Sequence, residues 1–327
     1  MSFTLNGPCS IGIWKLPNKN KLFIFGEYHI NPDEQPCEPP SVLITEYIES
    51  LPSGIMLVES IDCRGEIMCD PSQKTMFSLL ESLKQHNKHK VMSIDPRQLL
   101  SWTIADSIIA IGREVKRMRR TNKQLVETMT AYLIDMFNPD PYGKVYAGIY
   151  DYQKLSILPL EQEEKDDFSV YYTGTRLKTV SGTERDEEIL AFCLDNQPEY
   201  TYPPTLQLFY DSLVNAYEKQ DHTAMRTEIA DFTSVFDKNT LSRLFDVSLA
   251  PVMDFNVLQI LTNVLENVKN TQNVMLYVGH THMNVYRKFL HTPLYEEDNC
   301  ETDESHCVRV RPEGQTTTGF WDGCSLM

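Results

Sequence analysis

The chain has 327 residues, of which 41% are apolar and 23% are charged. This composition is typical of soluble globular proteins and supplies a substantial hydrophobic core. Asp and Glu number 46 against 30 Lys and Arg, so the formal net charge is −16. A field of that sign repels phosphate backbones and anionic lipids, so we expect neither a nucleic-acid partner nor a membrane partner.

The first 17 residues contain neither a basic stretch nor a long apolar one, so we see no secretory signal. No apolar run approaches the roughly 20 residues that a membrane-spanning helix needs. We therefore expect a cytoplasmic protein, and in that setting the eight scattered cysteines are expected to be reduced thiols. A zinc knot is a weaker alternative. It would be formed by Cys300, His306, Cys307 and Cys324.

Three short apolar runs in the first hundred residues predict buried strands, at 21–26, 55–59 and 90–95. The segments between them, at about 41–51 and 72–87, have the pattern of helices. This β-α-β-α-β alternation implies parallel strands that are joined by right-handed crossovers.

The middle of the chain, from about 99 to 270, is mainly helical in pattern. A polar stretch at 161–182 predicts a long loop or a pair of edge strands. The clearest helix is 254–268, because its apolar residues recur at helical spacing. Asp254 is placed to cap the start of this helix.

The end of the chain returns to the strand pattern. Residues 273–279 predict another buried strand, and about 283–290 predict a helix. A short strand is predicted at 308–310.

These elements predict a single α/β domain with a central, mostly parallel sheet flanked by helices. Its core segments are expected at 1–100 and 250–327. A mainly helical insertion is expected at about 101–249.

Polar residues follow each of the four predicted core strands. The first strand leads into Gly26-Glu27-Tyr28-His29, here called the early motif, and the last leads into Gly279-His280-Thr281-His282, the late motif. Glu59 ends the second strand, and Asp95 and Arg97 follow the third. Ligands of open parallel sheets bind outside the carboxyl ends of the strands. We therefore expect these residues to meet at one edge.

The predicted edge holds the ligand types of a hard-to-borderline metal site. Two imidazoles and two or three carboxylates suit Zn²⁺, Mn²⁺ or Co²⁺. Such an ion lowers the pKa of a bound water, and a remaining carboxylate can act as the general base. A glycine before the histidine in each motif permits a tight exit from the strand. Arg97 is placed to pair with a carboxylate or to hold an anionic group bidentately.

Each of these residues also has a structural interpretation. Glu59 can cap a turn, and Asp95-Pro96 can start one, with Arg97 as an ion-pair partner. Two G-x-x-H patterns directly after apolar strands, in opposite halves of the chain, favour function instead. His280 and His282 cannot both face one site if the helix begins at His280, because residues two apart point to nearly opposite sides.

The two motifs resemble those of the Tiki/TraB/ChaN/erythromycin-esterase-like superfamily. The matching residues are the early motif, Val58-Glu59 and the late motif, and Asp254 lies where some members have an Asp before the last strand. Together with Ile94-Asp95-Pro96-Arg97, this combination looks most like a branch carried by large DNA viruses of eukaryotes. The resemblance implies an erythromycin-esterase/ChaN-like fold. It does not imply one reaction, because members include metal-dependent peptidases, hydrolases without an obligate metal and a haem-binding protein.

We therefore hypothesise a metal-dependent hydrolase of the peptidase or esterase type, acting on a small-molecule or peptide substrate. The expected metal ligands are His29, Glu59 and His282, with Glu27 as the alternative carboxylate. The expected catalytic residues are Glu27, Asp95, Arg97 and Asp254.

The alternative is a non-catalytic protein on the same scaffold, either a ligand binder or a structural component of a virion. A viral protein would act in the host cytoplasm or in the virion. Dinucleotide binding is disfavoured because no Gly-rich turn follows the first strand. The sequence leaves the substrate, the identity of the metal and the oligomeric state open.

Overall fold

The structure is a computed structural model, and it describes residues 3–16, 20–28, 37–63, 66–68, 74–95, 97–117, 123–139, 184–196, 203–267, 272–290, 296–302 and 307–310. The chain divides into two compact units. The first contains Met1–Glu59, Met68–Ser93 and Asn263–Met327. The second contains Ser60–Ile67 and Ile94–Thr262. The expectation of one domain with a helical insertion stays a prediction.

The strands are numbered in chain order through the described residues. They are β1 (Phe3–Asn6), β2 (Ser10–Lys15), β3 (Lys21–Glu27), β4 (Ser41–Leu43), β5 (Gly54–Val58), β6 (Ile61–Cys63), β7 (Glu66–Met68), β8 (Lys90–Ser93), β9 (Asn273–Gly279), β10 (Glu296–Thr302) and β11 (Cys307–Val310).

The helices are numbered in the same way. They are α1 (Ile44–Ser50), α2 (Lys74–His86), α3 (Arg97–Arg117), α4 (Lys123–Phe137), α5 (Glu184–Asp195), α6 (Pro204–Glu218), α7 (His222–Val235), α8 (Lys238–Ser248), α9 (Ala250–Asn267) and α10 (His280–Leu290). No helix within these described ranges is long and apolar enough to cross a membrane.

The first unit is built on a mixed sheet. Within the described residues it has six strands in the order β10-β2-β3-β9-β5-β8. The four strands from β3 to β8 are parallel to one another, whereas β2 and β10 are added antiparallel at one side. β3 and β9 are buried along almost their whole length, as expected for central parallel strands that are covered on both faces. The prediction of an α/β fold with a mostly parallel sheet flanked by helices is confirmed.

The position of β9 decides which residues meet. The last core strand does not extend the sheet but lies between β3 and β5, pairing with both. The strand that ends in the early motif is therefore the direct neighbour of the strand that ends in the late motif.

A second sheet in the same unit has the order β11-β1-β4. A disulfide joins Cys37, which precedes β4, to Cys307 at the start of β11, with an S–S distance of 2.08 Å. The expectation that all cysteines are reduced is wrong for this pair. Because Cys307 is in this disulfide, it cannot be a ligand of the alternative zinc knot. Cys9 and Cys193 are buried and do not take part in a disulfide.

Two predicted helix starts are wrong. α9 begins at Ala250 and not at Asp254, since Pro251 in its first turn needs no hydrogen-bond acceptor for a backbone N–H. Asp254 therefore lies inside the helix and is buried, so it is not the cap. α10 begins at His280 and not at about residue 283. The stretch at 161–182, predicted as a loop or edge strands, lies outside the described residues.

The second unit is mainly helical, and phenylalanine side chains form part of its core. The Phe137 ring packs edge-on against the rings of Phe209, Phe232 and Phe245, with centroid distances between 4.8 and 5.3 Å. These four residues come from α4, α6, α7 and α8. α3 and α7 approach closely because Gly112 has no side chain, since a Cβ atom there would lie 2.2 Å from the hydroxyl oxygen of Thr233.

The disulfide yields a stability prediction. It links residues that are 270 positions apart in sequence, so it restricts the unfolded chain strongly. We expect a Cys37→Ala/Cys307→Ala double variant to lose about 2–4 kcal/mol of unfolding free energy, measured in urea. Reductant should lower the stability of the wild type by a similar amount and leave the variant unchanged. Two free thiols at these positions in non-reduced protein, detected by alkylation and mass spectrometry, would contradict the disulfide.

Candidate functional site

The carboxyl ends of β3, β9 and β5 bring two carboxylates to the same edge of the sheet. Glu27 is paired in register with Gly279, and Val58 is paired with Tyr277. Glu59 directly follows Val58, so Glu27 and Glu59 lie on either side of the end of β9. Adjacent strands are about 4.8 Å apart, which separates the backbones of β3 and β5 by roughly 10 Å.

Glu27 is held by a hydroxyl group from the central strand. Its side chain is only 2% exposed, and its Oε2 accepts a hydrogen bond of 2.6 Å from the Tyr277 hydroxyl. Burial, and then the charge and hydrogen bond of Glu27, raise the pKa of Tyr277 well above its ordinary value of 10.0. Tyr277 therefore stays protonated at neutral pH and acts as a permanent donor to Glu27.

Glu59 is held by the backbone of the same strand. It is 6% exposed, and its N–H donates to the Tyr277 carbonyl oxygen at 2.9 Å. Its Oε2 accepts a hydrogen bond of 2.5 Å from the Gly279 N–H. The carboxylate also lies at the start of α10, where the partial positive charge of the helix end favours an anion.

The late motif forms the first turn of α10. Nδ1 of His280 is 2.9 Å from the Ser10 hydroxyl oxygen, and the His280 ring centroid is 4.8 Å from that of Tyr28. Burial lowers the pKa of His280 below its ordinary value of 6.5, so the ring is neutral at pH 7. His282 is buried and lies beside Tyr286, with 6.3 Å between the ring centroids. Because α10 begins at His280, the two histidines point to nearly opposite sides.

Three predicted site residues belong to the second unit. Asp95 precedes α3 and accepts hydrogen bonds from the Arg97 N–H at 2.9 Å and from the Arg97 Nε at 3.0 Å. Its second oxygen accepts from Nη2 of Arg97 at 2.9 Å. Asp95 and Arg97 thus form an ion pair with each other, which is the arrangement expected if their role is structural. Asp254 is buried on α9. Catalytic roles for these three residues stay predictions.

The donor atoms at the edge match the chemistry of a borderline divalent metal. Glu27, Glu59, His280 and His282 supply carboxylate oxygen and imidazole nitrogen. Across the part of the chain that the structure describes, no group of three or more His, Cys, Asp or Glu side chains is gathered for a metal ion. The predicted ligand His29 lies outside the described residues. The edge therefore has suitable donors, and a metal site there stays a prediction.

Sequence reasoning missed the residues that hold the edge together. In the sequence, Tyr277 is one residue of an apolar run that predicts a strand, although a buried tyrosine hydroxyl usually requires a partner. Its position two residues before Gly279 was the available signal. Ser10 and Met283, which contact each other at 2.9 Å, gave no comparable signal.

Comparison of the chain with protein-family models, with curated proteins and with solved structures finds no match. The resemblance described above is therefore carried by the motifs alone and stays a prediction.

The Tyr277–Glu27 hydrogen bond yields a prediction with a distinct pH dependence. Tyr277→Phe leaves a buried carboxylate without this donor, so we expect a loss of about 1–3 kcal/mol of unfolding free energy at pH 7. The pKa of Tyr277 is raised in the folded state, so its contribution is fully present below about pH 10 and is lost as the pH rises further. The stability of the wild type should therefore fall more steeply above pH 10 than that of the variant.

Urea unfolding between pH 7 and pH 11 checks both expectations. Tyr217→Phe is the matched control, because Tyr217 is exposed on α6. Equal stability of the two variants at pH 7 would contradict the role assigned to Tyr277.

Proposed function

We propose that the chain is a metal-dependent hydrolase of the peptidase or esterase type, with its active site at the carboxyl edge of β3, β9 and β5. One observation carries the proposal. The buried carboxylates Glu27 and Glu59 flank the end of β9, and the late motif follows that strand directly. Burying a carboxylate is costly unless it is hydrogen-bonded, and this is the edge where parallel sheets bind ligands.

In the assignment that the resemblance implies, His29, Glu59 and His282 would hold the metal. A bound Zn²⁺, Mn²⁺ or Co²⁺ would supply Lewis-acid polarisation of a substrate carbonyl and would lower the pKa of a water molecule. Glu27 then takes a proton from the attacking water and returns it to the leaving group as a general acid. The Tyr277 hydroxyl, which donates to Oε2 of Glu27, fixes the orientation of this carboxylate.

The resemblance supports three further parts of the proposal. The fold is the ChaN-like version of the α/β fold, and the chain is related to the viral branch of the superfamily. Asp95, Arg97 and Asp254 have catalytic roles. The placement of the two motifs on adjacent parallel strands supports a shared site but does not distinguish families.

A second candidate function is a non-catalytic ligand binder or virion component. Two observations favour it. Each of the two carboxylates accepts a hydrogen bond from a donor within the protein, as a purely structural carboxylate would. The Cys37–Cys307 disulfide is also of a kind that persists at virion and cell surfaces and is rare in the reducing cytoplasm.

Metal content and turnover test the proposal together. Purified chain, loaded in turn with Zn²⁺, Mn²⁺ and Co²⁺, is analysed for bound metal and assayed against panels of esters and peptides. We expect one bound ion and turnover of a peptide or an ester. Glu27→Gln should reduce turnover by about 10²–10⁴-fold, because it removes the general base.

Glu81→Gln is the control, because Glu81 lies on α2 with its side chain 46% exposed, beside Lys84. This variant should keep full activity, and circular dichroism should show that both variants are folded. A wild-type chain that binds none of the three metals and turns over no substrate would rule out the hydrolase and favour the second candidate.

A further inference from the structure

We propose that His89 makes the attachment of α1 sensitive to acid, because its neutral ring holds the carboxyl end of this helix and its protonated ring does not. The residues that carry the inference lie on α1, on α2 and in the turn before β8, and all belong to the first unit. None of them is part of the proposed hydrolase site, so the inference does not depend on whether the chain is an enzyme.

The turn after α2 brings His89 to α1. α2 ends at His86, and Asn87 follows with a φ of 48°, in the left-handed region where many helices end. Asparagine adopts this conformation more readily than most residues with a side chain. The Asn87 N–H closes the turn by donating to the Leu83 carbonyl oxygen at 3.1 Å. The next two residues, Lys88 and His89, both contact the last turn of α1.

The carboxyl end of α1 uses donors from outside the helix, because the last carbonyl groups of a helix lack helical partners. Nε2 of His89 donates to the Ile48 carbonyl oxygen at 3.0 Å. The Leu51 N–H, just after the helix, donates to the same oxygen at 3.1 Å. Nζ of Lys88 donates to the Glu49 carbonyl oxygen. Ile48 and His89 are buried, so water has little access to the contact between them.

The carbonyl partner fixes which nitrogen of His89 carries the hydrogen. A carbonyl oxygen can only accept, so the hydrogen of this contact is on Nε2. The other nitrogen, Nδ1, is buried and has no hydrogen-bond partner within the part of the chain that the structure describes. A neutral ring leaves only a lone pair there. A protonated ring would bury a second N–H without an acceptor, together with a positive charge, and both are unfavourable.

The charged residues around His89 do not compensate for a protonated ring. Lys88 of the same turn opposes a positive ring, and Glu49 of α1 favours one. The Glu49 carboxylate is already engaged, because its Oε1 is 2.6 Å from Nδ1 of His86 and accepts from the Ser82 hydroxyl at 3.0 Å. Burial has the largest effect and lowers the pKa of His89 below its ordinary value of 6.5. The hydrogen bond to the backbone and the charge of Glu49 oppose this effect but are smaller.

Acid therefore weakens the attachment of α1. The pKa of His89 is lower in the folded state than in the unfolded state, so the stability that the neutral ring contributes is fully present above about pH 6.5. This stability is lost as the pH falls through the folded-state pKa. Between the two pKa values, the equilibrium constant for opening the end of α1 rises by up to about tenfold for each pH unit, because opening takes up one proton.

A histidine titration of the full chain tests the ring directly. In ¹⁵N-histidine-labelled wild type at pH 7.5, we expect His89 to show a protonated Nε2 and an unprotonated Nδ1 in long-range ¹H–¹⁵N spectra. It should take up its second proton only below about pH 6.5. A ring that carries Nδ1–H at pH 7.5, or that becomes charged above pH 6.5, overturns the inference. The result is read in the wild type, so a variant that fails to fold does not obscure it.

Hydrogen exchange of the backbone amides at 48–51 tests the consequence for α1. Exchange is measured between pH 7.5 and pH 5 and is corrected for its intrinsic dependence on pH. Protection in the wild type should fall by up to about tenfold for each pH unit below 6.5. His89→Gln should keep at pH 5 the protection that it has at pH 7.5, because a glutamine amide can donate to Ile48 but takes up no proton.

His86→Gln is the matched control, because the His86 side chain is 56% exposed and contacts α1 only through Glu49 among the contacts described above. This variant should respond to acid as the wild type does. Protection that stays constant with pH in the wild type, or that falls equally in His89→Gln, would overturn the proposed role of His89.

Discussion

Buried carboxylates need hydrogen-bond donors, and at this edge a single strand supplies the donors described for both. Tyr277 of β9 donates its hydroxyl to Glu27 on one side, and Gly279 donates its backbone N–H to Glu59 on the other. Without these contacts, each acidic side chain would oppose the burial of the strand that carries it. The position of β9 between β3 and β5 thus lets one strand donate to both buried acidic residues.

The same strand also places the late motif. β9 runs directly into α10, so the helix starts between the two strands that lead to the carboxylates, and its first residue contacts Ser10 at the start of β2. Residues at the ends of four strands and at the start of one helix therefore converge because of the way the strands pair. Ser10 enters this group because β2 runs antiparallel to β3, so the start of β2 lies beside the end of β3.

Local sequence was enough to predict the core strands and the edge, but not the order of the strands. Apolar runs that end in glycine or a carboxylate identified β3, β5, β8 and β9, and their alternation with helices implied parallel pairing. The insertion of β9 between β3 and β5 depends on long-range packing, which leaves no local signal. The same holds for the Cys37–Cys307 pairing, because scattered cysteines do not specify their partners. The sequence predicts that this helix starts at Asp254, a favourable capping residue, but α9 begins at Ala250, because Pro251 is well suited to the first turn of a helix.

The insertion of β9 has a consequence for how the chain is made. β3 and β5 are synthesised long before the strand that separates them, because β5 ends at Val58 and β9 begins at Asn273. Until β9 is made, β3 and β5 each have an unpaired edge, and such edges favour aggregation. The first unit therefore cannot complete its main sheet until β9 has been synthesised. Its contacts also join distant parts of the sequence, which slows folding. During synthesis, this chain should depend on chaperones more than a protein whose sheet grows strand by strand.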